Sequence, residues 1–70
     1  MNPNKLRAVM ALNGETGIVL AEAMGIAQQT LSAKITGKRE FTQGEIQYIK
    51  ERYNLSAADI DDIFFTKLVS

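Results

Sequence analysis

Apolar residues recur along the chain at a spacing of three or four. Leu6 and Met10, Leu20 and Met24, and Leu31 and Ile35 are each four apart. Residues four apart share one face of an α-helix, so each pair marks the inward stripe of a short amphipathic helix. The first helix is predicted over about residues 4–12, with Val9 and Asn13 on the same side as Leu6 and Met10. Asn2 or Asn4 caps it, Pro3 is tolerated in its first turn, and Asn13-Gly14 ends it. The second starts after the N-cap Thr16 and runs to Met24, where Gly25 supplies a left-handed turn. The third spans about residues 28–36 and stops at Gly37. Thr42 with Glu45 forms a capping box for a fourth helix, with Phe41 stapled to Ile46 and with Ile46, Ile49 and Tyr53 at helical spacing. Ser56 with Asp59 repeats that logic for a fifth, whose inward face is Ile60, Ile63 and Phe64. No β-branched alternation is bounded by hairpin turns. The expected fold is one all-α domain over residues 1–70, five short helices joined by short links.

Composition narrows the chemistry. Seventy residues make one small domain that buries only about 60% of its unfolded surface, so association with a second copy would help its core. There is no Cys, hence no disulfide, thiolate zinc site or Cys nucleophile, and no His, the commonest general base. No cofactor or metal is expected, and no enzyme signature is present. Asp59, Asp61 and Asp62 lack the glycine turn and later Glu of a calcium loop and fit the favourable start of a helix instead. No apolar run is long enough to cross a membrane and no secretory leader opens the chain, so a cytoplasmic protein is expected. Net charge is zero, but residues 1–39 carry five basic and two acidic side chains, and residues 40–70 carry three and six. Chance produces such splits in short chains; the functional alternative is that the basic half meets phosphate.

The second and third helices meet at Gly25, with the small Ala21 where they approach each other. Leu20, Met24, Ile26, Leu31 and Ile35 form the wedge that sets their angle. Gln28, Gln29, Thr30, Ser32, Ala33 and Lys34 then point outward, and none is acidic. That is the pattern of a helix-turn-helix over about residues 17–36, whose second helix enters the DNA major groove. A glutamine amide donates and accepts in one plane and pairs with adenine N6 and N7. Gln28 and Gln29 are therefore candidate base readers, and Thr30, Ser32 and Ala33 can touch base edges or thymine methyls. Lys34, Lys38 and Arg39 can neutralise phosphates, with Thr16 and the Gly17 amide at the start of the second helix as further phosphate contacts. The competing reading is an ordinary helical hairpin whose glutamines are merely solvated.

The segment Leu20 to Ile35, with Thr16 before it and Gly37-Lys38 after it, resembles the Cro/C1-type helix-turn-helix of phage repressors and Cro proteins. The resemblance spans about residues 4–65 and implies a compact five-helix, lambda-repressor-like domain, usually a homodimer on a palindromic operator. Gln28-Gln29 resembles the double-glutamine opening of the recognition helix in lambdoid phage repressors. It implies an adenine reader at Gln28, a neighbouring base reader at Gln29 and a backbone contact at Lys38. The chain departs from that pattern at Gly17, where many relatives carry a phosphate-contacting Gln. It departs again at Ala27, where many carry a Ser or Thr cap, and at the apolar pair Ile18-Val19.

Phe65, Leu68 and Val69 lie around the fifth helix from Ile60 and Ile63. A helix apolar on two sides needs two partners, so this stripe is a candidate dimer contact, or else a tail folding over the core. Tyr48 and Tyr53 are expected to pack half-buried rather than stack on bases. The resulting expectation is a Cro-like, sequence-specific transcriptional regulator acting in the cytoplasm, at the nucleoid of a bacterium or phage-infected cell. Its partners would be a duplex DNA operator and a second copy of itself. The alternative is an interaction module that binds and modulates another repressor, or an antitoxin-like partner, motivated by Ile18, Val19 and the acidic second half.

Overall fold

The computed structural model describes residues 1–65, which form five helices and no strand. α1 runs Pro3–Leu12, α2 Gly17–Met24, α3 Gln28–Ile35, α4 Gln43–Arg52 and α5 Ala57–Phe64. Four of the five starts have a side-chain cap. The Asn2 side chain accepts from the Lys5 amide, and Pro3 stands in the first turn, where a missing N–H costs nothing. Thr16 accepts from the Val19 amide at α2. Both predicted capping boxes are complete: Thr42 with Glu45 at α4, and Ser56 with Asp59 at α5.

The α2–α3 connection depends on Gly25, at φ 71° and ψ 29°. From there the Gly25 amide reaches the Glu22 carbonyl at 3.1 Å and the Ile26 amide reaches Ala21 at 3.0 Å. This is the Schellman closure, which needs a left-handed residue after the helix. α3 begins three residues later, and the two helices pack on each other, while α1 and α4 both pack on α5. The Asn2 amide donates to the Ile63 carbonyl at 2.7 Å, fixing the start of α1 against α5.

The core is the inward stripe of every helix: Leu6 and Met10, Leu20 and Ala21, Leu31 and Ile35, Ile49 and Tyr53, and Ile63. Met24, Ile26, Phe41 and Phe64 pack at its edge, with Phe41 and Phe64 edge-to-face at 5.2 Å. Met24, expected to share the inward face with Leu20, is thus only partly buried. Tyr53, expected half-buried, is fully inside. Thr36, assigned to the third helix, is its C-cap, with its hydroxyl returned to the Ser32 carbonyl. No described helix is long and apolar enough to cross a membrane.

Candidate nucleic-acid interface

α3 sets most of the candidate site. Gln28 and Gln29 occupy its first two positions, exposed, and Ser32 is exposed one turn later. Thr30 and Ala33, expected to point outward, are half-buried. A cleft of about 320 Å³ opens between α1, the start of α2 and α3. Arg7, Glu15, Thr16, Gly17, Gln28 and Ser32 all border it, so the structure brings Gln28 and Ser32 together with Thr16 and Gly17, while Gln29, Thr30 and Ala33 lie outside the cleft. Lys38 and Arg39 are exposed just beyond α3. Their amides both bond the Ala33 carbonyl, at 2.9 and 3.1 Å, which holds the turn in one conformation.

Lys34 does not stand on the outward surface. It is 8% exposed, the one buried charged residue among those described. Its Nζ donates to Glu45 Oε1 at 2.7 Å and to the Glu40 carbonyl at 3.2 Å, and lies 5.9 Å from the centre of the Phe41 ring. The assignment of Lys34 to a DNA phosphate is therefore corrected. Its ammonium is committed to α4, because position 34 follows Leu31 by three and turns toward the core side of α3.

Charge is also redistributed in space. Lys5 pairs with Asp62 at 2.8 Å, Lys34 with Glu45, and Arg52 with Glu15 through two bonds, the Nε bond at 2.8 Å. Each pair joins the first 39 residues to the rest, yet because Glu15–Arg52 runs opposite to the other two, the charges outside these pairs still leave the first part basic and the second acidic. The hydrogen bond that Lys5 donates to Asp62 raises the Lys5 pKa, and the bonds from Arg52 hold Glu15 below the ordinary carboxylate range. Burial pushes Glu45 up, but the bonds from Lys34 and the Thr42 amide outweigh it and leave the group below its ordinary value. Glu15 thus enters the cleft as a carboxylate already covered by a guanidinium.

What remains exposed and basic near α3 is Arg7, Lys38 and Arg39. Arg7 was not singled out from sequence. It lies about 60° around α1 from the buried Met10, an angle that places it beside the core stripe and over the cleft. Phe65 is 57% exposed at the end of α5, with Phe41, Ile46 and Phe64 along the same groove. Leu68 and Val69, the rest of the expected dimer stripe, lie outside the described residues. No group of acidic side chains among the described residues has metal-holding geometry. No protein-family model matches the chain, and no curated protein or solved structure does either.

Proposed function

We propose that the chain is a sequence-specific DNA-binding regulator of the Cro/C1 type, with α3 read into the major groove. The observation that carries the reading is the single face shared by Gln28 and Ser32 of α3, Thr16 and Gly17 at the start of α2, and Arg7 of α1. Bidentate amides stand where base edges would lie, and helix-end amides and arginine stand where phosphates would lie. α3 carries no acidic residue, and its one lysine is neutralised internally, so Lys38, Arg39 and Arg7 supply the phosphate contacts. One recognition helix reads only a few base pairs. A two-fold pair places two such helices about 34–36 Å apart, and Phe65 is the described part of the surface that would meet the second copy.

The test is selection from random duplex DNA followed by binding to the winning sequence. The expected outcome is two chains per palindromic site with strong salt dependence. Gln28→Ala or Gln29→Ala costs about 1–3 kcal/mol on that site and little on random duplex. Lys38→Ala weakens both and flattens the salt slope by about one unit. Salt-independent binding, or equal losses on both duplexes for the glutamine variants, overturns the reading.

A second reading is favoured by one observation. Leu12, Ile18 and Val19 are exposed apolar side chains at the end of α1 and the start of α2. In that reading the fold is a module that binds another repressor. It would bind duplex DNA weakly alone and the repressor tightly.

A further inference from the structure

Lys34 occupies an unusual position for a charge. It lies in the last turn of the helix proposed to read bases, yet it is buried, and all its polar contacts run to the segment that opens α4. The Glu45 oxygen that accepts from Lys34 also accepts from the Thr42 amide, at 2.8 Å. One carboxylate oxygen therefore joins the end of α3 to the capping box of α4. The Glu40 carbonyl and the Phe41 ring hold the same ammonium from the connecting turn.

An apolar side chain would fill this space without desolvating two charges, and such replacements of buried ion pairs are often neutral or stabilising. Apolar contact has no direction, whereas an ammonium–carboxylate bond does. Gln28 lies six residues upstream on the same rigid helix, about 9 Å along its axis. A small rotation of α3 at Lys34 is thus carried to the base-reading end.

We propose that Lys34, through Glu45, is a positioning residue that fixes the orientation of α3 against α4 and so sets where Gln28 and Gln29 meet the bases. The proposal rests on the DNA-reading function proposed above. It is tested with Lys34→Met/Glu45→Gln, which leaves no unpaired buried charge, on the duplex chosen by selection and on a random duplex of equal length. Expected is a thermal midpoint equal to or above wild type, at least tenfold weaker binding to the selected duplex, and binding to random duplex within twofold. Ser56→Ala, which removes a cap on α5, controls for stability and leaves the ratio of the two affinities unchanged. The proposal is overturned if the double variant keeps that ratio, or if Ser56→Ala changes it as much. It is equally overturned if both affinities fall together with a loss of salt slope, since Lys34 would then touch phosphate itself. Residual dipolar couplings on the free proteins separate this idea from the function. If wild type selects no duplex, the DNA reading fails, and the couplings decide alone. A rotation of α3 against α4 by several degrees supports the positioning role, and an unchanged orientation overturns it.

Discussion

The Tyr53 hydroxyl is buried beside the Glu15 carboxylate but makes no hydrogen bond of good geometry, because both oxygens of that carboxylate are held by Arg52. Burial, and then the hydrogen-bonding pull and charge of the nearby Glu15 carboxylate, keep its phenol protonated well above the ordinary range. An unpaired buried hydroxyl costs about 1–3 kcal/mol, so its removal relieves as much as it loses. Tyr53→Phe is expected to unfold in urea at or above the wild-type midpoint; a loss of more than about 1 kcal/mol would mean that the hydroxyl has a partner. Side-chain type and side-chain angle disagree at Lys34. Its three-residue spacing from Leu31 points inward, but a lysine reads as solvated unless its counter-charge is known. That counter-charge, Glu45, is eleven residues away and had a sufficient role as a cap. Arg7 was missed for the related reason that its value depends on a cleft built from α2 and α3, which no pattern within α1 reveals.

At the scale of helices the pattern was nearly complete, because starts and stops are local chemistry. Caps at Asn2, Thr16, Thr42 and Ser56 and the left-handed glycines after α1, α2 and α3 place the boundaries within a residue or two. The end of α4 was not foreseen. It closes like the others, with the Leu55 amide on the Lys50 carbonyl at 2.9 Å, but its left-handed residue is Asn54, at φ 53°. One start is weak. Ala27 precedes α3 and offers no side-chain acceptor to its first amides. Ala27→Ser is expected to raise the unfolding free energy by about 1 kcal/mol, measured by urea denaturation. No gain would mean that the backbone at position 27 does not present the hydroxyl to the Gln29 or Thr30 amide. What the helices do together was less legible: the facing of α2 and α3 followed from Ala21 and Gly25, whereas the partners of α4 followed from nothing near it.

For the molecule as a whole, three carboxylates tie distant segments: Glu15 to Arg52, Glu45 to Lys34, and Asp59 to its own cap and to Lys5. All three hold their protons less tightly in the folded chain than an ordinary carboxyl does. A lowered folded pKa gives stability that is complete above the unfolded values, about 3.9 for Asp and 4.3 for Glu, and is lost as pH falls through the folded ones. The thermal midpoint is therefore expected to stay level from about pH 7 to 5.5 and to drop below about pH 4, less steeply in high salt. A midpoint unchanged at pH 3 would show that these contacts do not favour the ionised carboxyls.

The placement of α4 has a consequence for how the domain opens. Glu45 near its first turn grips α3, Arg52 at its last residue grips the turn between α1 and α2, and the Tyr48 hydroxyl reaches the Ala23 carbonyl of α2 between them. α3, poorly capped and only eight residues long, would fray early if it stood alone. Braced from behind, it cannot unwind its last turn without breaking the Lys34–Glu45 pair. Its amides, those of α2 and those of α4 are therefore expected to exchange with solvent together in native-state hydrogen exchange, so that a helix without much stability of its own borrows the cooperativity of the whole domain.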